Sequence, residues 1–459
     1  MVDPTGPDRP VDGDDDVPHR GGSTMRTGLR TWISTGGTVA LTLGLAASAA
    51  VDVPGGGQST ERGRGGPPTA RNVVLVVGDG LGVAARDAIR LATVGQDGRL
   101  AMDALRHAGW TRTDSADPVE AVTDSAASAT AFATGVRTYN GAVSVDVEGT
   151  PVTTLLEHAQ RARKATGLVT TAQVTDATPA AFGAHVADRA DQSEIARQYV
   201  EVTRPDVILG GGEDWWYPEG DEGAHPDDPD DPRPEVSRST AGDLVARAEA
   251  VGYDHVTTAE ELAATRSGRI LGLFANEEMF EQAPEGQGDE YEPTVPLATM
   301  TAKALDVLSR DRQGFFLLVE EEGVDEMAHA NNAALAIRAG QALDETVDLV
   351  RDFADRHPGT LVVVVGDHET GGLAVENVDV EDESGDTGST EPSVTQSVED
   401  GPFTVAGSDL QFTVDWTTGS HTGGATPLTA QGPGADRLAR TQHSTDVFDV
   451  LRDALGGRR

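Results

Sequence analysis

The stretch Asn72-Val73-Val74-Leu75-Val76-Val77, running into Gly78-Asp79-Gly80-Leu81-Gly82, decides how the rest of the chain is read. A short apolar, β-branched run that ends abruptly in glycines reads as a strand buried on both faces, as strands of parallel sheets are. In such sheets functional side chains collect just beyond the carboxyl ends of the strands, and Asp79 stands there. Its flanking glycines let the backbone bend tightly and leave the carboxylate accessible. Taken alone, a Gly-Asp-Gly turn is more often structural than functional.

The same pattern recurs along the chain. Gly167–Thr171 leads into Asp176-Ala177-Thr178-Pro179, where Pro179 suits the first turn of a helix. Asp206–Gly212 is a third run that ends in glycines. Phe315–Val319 is followed at once by Glu320, Asp325 and His329, and Leu361–Val365 ends in Gly366-Asp367-His368-Glu369-Thr370-Gly371-Gly372. Helical patterns fall near Ala101–His107, over Pro151–Arg161, Leu297–Arg310 and Ala333–Ala354, and from Ser444 to about Leu455. Strands alternating with helices predict one three-layer α/β/α domain around a central, mostly parallel sheet, with helices on both faces. Acidic, loop-rich insertions are expected near 212–296, interrupted only by short regular pieces such as Arg269–Phe274, and near 374–412.

A second stretch carries a different signal: Val122-Thr123-Asp124-Ser125-Ala126-Ala127-Ser128-Ala129-Thr130-Ala131, continuing to Gly135. Asp124 suits an N-cap, Ser125 the first turn, and Gly135 the stop. A hydroxyl at a helix N-terminus faces unpaired N–H groups and the positive end of the dipole, which suits a phosphate or a developing anion. By itself the stretch is an ordinary Ala-rich helix.

Composition narrows the chemistry. Lys and Arg number 35 against 76 Asp and Glu, a formal net charge of −41, which argues against nucleic acid or an anionic membrane as partner. There is no cysteine, so any metal must be held by His, Asp and Glu. Residues 1–24 read as a polar leader or an overlong start. From Met25 the chain reads as a signal peptide over 25–49, with Arg26 and Arg30, an apolar run Ile33–Leu45 and an Ala47-Ser48-Ala49 cleavage site. A linker over 50–70 and a catalytic domain over 71–459 follow. The expectation is a secreted or periplasmic protein with no stable membrane span after cleavage.

Asp79, Asp124-Ser125, Asp176/Thr178, Glu320/Asp325/His329 and Asp367/His368 all sit at the ends of buried strands or the starts of helices. His421, in Gly419-Ser420-His421-Thr422-Gly423-Gly424, adds a further point. Asp325 and His329, four apart, share a helix face and can converge on one ion. If the strands are neighbours, these groups crowd one sheet edge, where so many carboxylates would repel and stay protonated unless cations sat among them. His plus carboxylate suits zinc and all-oxygen ligation suits magnesium, with ligands enough for two or three ions.

From roughly Arg71 to the C-terminus the chain resembles alkaline phosphatases. The motifs that carry the resemblance, in family order, are Gly78-Asp79-Gly80, Val122–Ala131, Asp176–Ala181, Val319-Glu320 with Asp325 and His329, Gly366–Gly372, and His421-Thr422-Gly423. It implies that Ser125 is the nucleophile that becomes phosphorylated. It implies one zinc on Asp325, His329 and His421, and a second on Asp79, Asp367 and His368. A magnesium would lie on Asp79, Thr178 and Glu320, with Asp176 supporting its water shell. Arg189 would grip two phosphate oxygens, oriented by Asp124. Small phosphate monoesters and inorganic phosphate are the implied partners, and a homodimer is an allowed assembly.

Two features depart from the family pattern. Glu326 stands where relatives often carry Lys, His or Trp, and an acidic group there should weaken phosphate affinity or draw in another cation. Glu321-Glu322-Gly323-Val324 is also more acidic than usual. The nearest rival reading is a phosphodiesterase or phosphomutase of the same superfamily. A serine acyl hydrolase would need a Gly-x-Ser-x-Gly elbow, which Ser125 lacks. A non-catalytic cation-binding surface protein leaves the strand-end residues unexplained.

Overall fold

The apolar run at 72–78 is a strand, β1 (Asn72–Gly78), with every residue buried. A computed structural model describes residues 69–225, 236–378 and 400–456. The expected leader and signal peptide, and the linker up to residue 68, lie outside the described residues.

After β1 come α1 (Val83–Val94), β2 (His107–Arg112), α2 (Ser125–Thr134), α3 (Leu155–Arg161) and β3 (Ala165–Gln173). Next are α4 (Ala177–Gly183), α5 (Gln192–Gln198), β4 (Val207–Gly211), α6 (Leu244–Ala250), β5 (Asp254–Val256), α7 (Ala259–Ala264) and β6 (Ile270–Leu273). The chain continues through α8 (Leu297–Leu308), β7 (Phe315–Glu321), α9 (Gly323–His329), α10 (Ala333–Arg356) and β8 (Thr360–Gly366). Then follow β9 (Glu369–Thr370), β10 (Ala374–Asn377), β11 (Asp400–Thr404), β12 (Gln411–Asp415), β13 (His421–Thr422), β14 (Thr426–Gln431), β15 (Thr441–His443) and α11 (Ser444–Ala454).

Ten strands form one sheet in the order β15-β2-β14-β8-β1-β7-β3-β4-β6-β5. From β8 to β5 every pairing is parallel. β14 runs antiparallel to both its neighbours. Side chains alternate across such a sheet, and the core divides accordingly. Val74 and Val76 of β1, Leu317 and Val319 of β7, and Val362 and Val364 of β8 pack with Ile89 of α1, Met300 of α8 and Leu343 of α10. Val73, Leu75 and Val77, with Phe316, Leu318 and Val363, pack with Phe132 of α2, Leu155 of α3, Phe182 of α4 and Phe448 of α11. Burying each such side chain is worth roughly 1.5–3 kcal/mol, so the paired apolar faces dictate three layers.

Three readings differ from expectation. Near Ala101–His107 there is only a single 3₁₀ turn, Met102–Ala104, and the chain enters β2 at His107. The described parts of 374–412, expected as loop, form a three-stranded antiparallel sheet in the order β10-β12-β11. In the acidic stretch after residue 212 the short piece expected at Arg269–Phe274 is β6, but β5 is not expected, and the two form the far edge of the main sheet.

Candidate active site

Strand register brings the strand-end residues together. β1 and β8 pair Gly78 with Gly366, so Asp79 and Asp367 leave the sheet side by side. β1 and β7 pair Val77 with Glu320, and β3 pairs Thr170 with the same Glu320. The Thr170 hydroxyl donates to Glu320 Oε2 at 2.6 Å. Just past β3, Asp176 caps α4 and Thr178 lies buried in its first turn. Asp325 and His329 lie on α9, which follows β7 after one residue. β13 pairs His421 with Thr370 of β9 and so delivers it from the C-terminal part of the chain.

α2 is built as its sequence dictates. Asp124 is the N-cap and its Oδ1 accepts the Ala127 amide at 2.9 Å. Gly135 closes the helix in the left-handed region at φ 74°, where a side chain is strained. Ser125 therefore starts the helix, with its Oγ 3.1 Å from His368 Nε2. Ser128, one turn on, donates to the Asp367 carbonyl at 2.8 Å and ties the helix to the end of β8.

The hydrogen bonds fix where the imidazole protons are. His329 Nδ1 lies 2.9 Å from the Gly419 carbonyl and His421 Nδ1 lies 3.0 Å from the Thr123 carbonyl. A carbonyl only accepts, so each Nδ1 carries a proton and Nε2 is the atom that takes or gives up the second one. Those two Nε2 atoms face each other at 3.0 Å, with Asp325 Oδ2 at 3.2 Å from His329. Thr370 Oγ1 donates to Asp325 and lies 3.3 Å from His368 Nδ1, so it accepts from that ring. His368 Nε2 is thereby a lone pair, and it faces Asp79 Oδ1 at 3.3 Å and Asp367 Oδ2 at 3.2 Å. Those two carboxylate oxygens are buried without a hydrogen-bond partner.

Acceptors aimed at one another in a buried place cost several kcal/mol unless protons or cations intervene. Burial, with Asp367 and Asp325 adding repulsion, raises Asp79 well above the usual carboxylate range. Burial likewise pushes Glu320 up to about 8, against the Thr170 hydrogen bond and with Asp176 reinforcing it. Burial and Asp325 push Asp367 up to about 7. Asp325 goes the other way: burial would raise it, but His329 and His421 hold it well below its ordinary value. His368, fully buried, is held neutral by burial and by His421. The donor set fits divalent cations. Asp325, His368 and His421 converge, as do Asp79, Asp367 and His368, each group with ligand atoms within 4.8 Å.

Around these groups lie residues that sequence pattern did not single out, namely Thr170, Ser128 and Thr370. They orient Glu320, α2 and the Asp325–His368 pair. Two of them sit inside motifs that had been noticed, but nothing in a motif says which hydroxyl turns inward.

Arg189 differs from expectation in its nearer partner. Its Nη2 donates to both Asp176 oxygens, at 2.8 and 3.0 Å, whereas Asp124 is 3.7 Å away. Burial would lower Arg189, but Asp176, Asp124 and more distantly Glu322 outweigh it and keep the guanidinium charged. Thr178 Oγ1 is buried and makes no hydrogen bond of regular geometry.

Gly80 shows how tightly the cluster is assembled. It has φ 65°, and a Cβ there would fall 2.7 Å from Asp325 Cα and 2.8 Å from Asp325 Oδ1. Gly80→Ala should therefore displace Asp325 and cost about 1–3 kcal/mol of stability. Melting curves together with metal content of the purified variant check this, and both should fall.

Comparison with known proteins agrees with this architecture. The family profile for alkaline phosphatase matches residues 70–456. A streptomycin-6-phosphate phosphatase of Streptomyces griseus is 37% identical, over 91% of this chain and 97% of that protein. An alkaline phosphatase of Escherichia coli K12 is 32% identical, over 84% of this chain and 86% of that protein. Among solved structures, Thermus thermophilus alkaline phosphatase superposes with a TM-score of 0.68 at 27% identity, covering 85% of this chain and 92% of that one.

A mostly parallel α/β sheet whose strand ends gather carboxylates and imidazoles defines the class, a hydrolase that works with metal ions. The chain belongs to the alkaline phosphatase family and is a phosphomonoester hydrolase. Among the described residues, no helix is long and apolar enough to cross a membrane.

Proposed function

We propose that the protein hydrolyses phosphate monoesters of broad structure through a phosphoserine at Ser125. The observation that carries this is Ser125 Oγ at the start of α2, 3.1 Å from His368 in the Asp79/Asp367/His368 cluster. In this reading Asp325, His329 and His421 hold one zinc, and Asp79, Asp367 and His368 the other. Asp79, Thr178 and Glu320 hold magnesium, with Asp176 beside it. The bound cations would lower the serine's proton affinity and offset charge on the entering and leaving oxygens.

The remaining work belongs to the chain. α2 directs Ser125 Oγ at the phosphorus and offers its positive end to the phosphate. Arg189 swings between Asp176 and two phosphate oxygens, and its planar fork matches them. Oγ forms a bond to phosphorus as the ester oxygen departs and takes a proton. Water then attacks phosphorus on the face opposite Oγ, the P–Oγ bond breaks, Oγ takes back a proton and inorganic phosphate leaves. Gly419 and Thr123 carbonyls keep His329 and His421 in the tautomer that presents Nε2 inward. An exported location rests on the 25–49 segment, and a homodimer remains part of the proposal.

The Streptomyces griseus relative, by its name, acts on streptomycin 6-phosphate. That compound therefore belongs among the substrates to assay. The reading is tested by comparing p-nitrophenyl phosphate with bis-p-nitrophenyl phosphate on the metal-loaded enzyme. The monoester should be favoured by roughly 10³-fold or more in kcat/KM. A diester turned over as well as the monoester would favour the phosphodiesterase alternative. Arg189→Ala should raise KM for the monoester by ~10-fold or more, because a charge-assisted bidentate contact is lost.

A further inference from the structure

The turn Tyr139-Asn140-Gly141 has no part in the proposed reaction, yet it is bonded to both sides of it. Gly141 makes the connection with its own main chain. Its N–H donates to Asp124 Oδ2 at 2.9 Å, and its carbonyl accepts the Arg189 N–H at 2.8 Å. Asp124 caps α2 and directly precedes Ser125. One residue thus joins the start of the serine's helix to the main chain of the arginine. The arginine's segment is held to the turn at further points. Val143 and Val186 exchange both backbone hydrogen bonds at 3.0 Å, and the Tyr139 hydroxyl donates to the Ala187 carbonyl at 3.1 Å. The Arg189 backbone is therefore fixed, while its guanidinium reaches out to Asp176.

Asn140 clamps the turn itself. Its Oδ1 accepts the Asp124 N–H at 3.2 Å, and its Nδ2 donates to the Val122 carbonyl at 2.9 Å and to Glu120 Oε2 at 2.7 Å. Its own N–H donates to Asp117 Oδ2 at 3.1 Å. An N–H on one side and a carbonyl on the other need an acceptor and a donor, and an amide side chain supplies both. The start of α2 has other anchors, the Ala127 amide on Asp124 and the Ser128 hydroxyl on the Asp367 carbonyl. Neither of them reaches the Arg189 segment, so neither fixes where the arginine stands relative to Ser125.

We propose that Asn140 is a positioning residue for phosphoryl transfer: by clamping the turn it sets the separation between the Ser125 hydroxyl and the Arg189 guanidinium. It acts through Asp124 and Gly141, and the proposal rests on Ser125 and Arg189 holding the roles given to them above. A displacement of about 1 Å between reacting groups can cost on the order of 10²-fold in rate, so the clamp has a measurable effect on turnover. Without the Nδ2 and Oδ1 contacts the turn can shift, and Arg189 shifts with it. The helix start, held by its other anchors, stays closer to its place.

The test is a double-mutant cycle on the metal-loaded enzyme with p-nitrophenyl phosphate, read as kcat/KM and as the inhibition constant of inorganic phosphate. Asn140→Ala should lower kcat/KM by about tenfold or more on its own, and by no more than about threefold when added to Arg189→Ala. Without the guanidinium there is no separation left to set. Phosphate inhibition should weaken about threefold or more in Asn140→Ala, because the bidentate contact is misplaced. Gly141→Ala perturbs the same turn by another route and serves if Asn140→Ala does not fold. Gly141 has φ 84° and a Cβ there would meet nothing within 4 Å, so alanine strains the backbone without a clash. It should show the same dependence on Arg189. Equal fold losses in both backgrounds would mark a packing role, and they overturn the proposal while leaving the monoesterase reading intact. Unchanged kcat/KM in both turn variants does the same. An Arg189→Ala enzyme with unaltered KM and phosphate inhibition would instead remove the arginine's assigned role, and this proposal with it.

Discussion

Ser125→Ala will keep the fold and lose about 10³-fold or more of kcat. The substitution removes one buried oxygen from the first turn of α2, a position where alanine is a strong helix former. Asp124 still caps the helix through the Ala127 amide, and Ser128 still ties it to the Asp367 carbonyl. The melting temperature should therefore shift by no more than about 1 kcal/mol would produce. What disappears is the oxygen that the proposed mechanism bonds to phosphorus. Residual turnover would come from water entering beside Arg189 and the cations, without a covalent stage. Stopped-flow and steady-state rates on a p-nitrophenyl ester measure this, and a variant with near-normal kcat would remove Ser125 from the mechanism.

Chelation will abolish activity and leave a protein whose stability falls as pH rises. In the metal-free protein Glu320 is pushed up to about 8 and Asp367 to about 7, and Asp79 is raised well above its ordinary value. The unfolded chain releases these protons near pH 4, so between there and pH 8 the folded state binds more protons than the unfolded one. Stability must then decline with pH across that window. His329 acts in the same sense. Its hydrogen bond with Asp325 raises it to about 9, and that contribution is complete below about 6.5 and lost as pH climbs through 9. The summed effect is on the order of several kcal/mol, a drop of ~5–10 °C in Tm between pH 5.5 and 8.5. Restoring zinc and magnesium should reverse the slope, because cations bind the deprotonated ligands best. Calorimetry of chelated and reloaded protein at several pH values gives the answer. A chelated protein that gains stability with pH would contradict the placement of these carboxylates.

Legibility of the fold followed burial. β1, β7 and β8 are covered on both faces, so their apolar runs announce themselves and end where functional side chains begin. β2 and β14 do not. β2 contains Gly109 and an exposed Trp110. β14 contains Pro427, a residue that argues against an interior strand. Proline is tolerated there because pairing with β8 begins only at Leu428. In 374–412 the run of acidic residues hid three strands that pair only with one another.

The clustering of the site residues was legible where spacing alone brings two ligand types together, though Asp325 and His329 read as readily as a surface salt bridge. Asp367-His368 beside each other and Asp325 four before His329 are such cases. It was not legible where partner choice depends on space. Arg189 has two acidic neighbours within reach, and only folding shows that Asp176 is the closer.

Rapid acid quench of the metal-loaded enzyme during turnover of a labelled phosphate monoester, followed by peptide mapping, tests the covalent mechanism most directly. The geometry predicts a phosphoryl group on the peptide that begins α2, carried by Ser125 and absent from Ser125→Ala. Label on another residue, or steady turnover with no phosphoenzyme at any quench time, would contradict it.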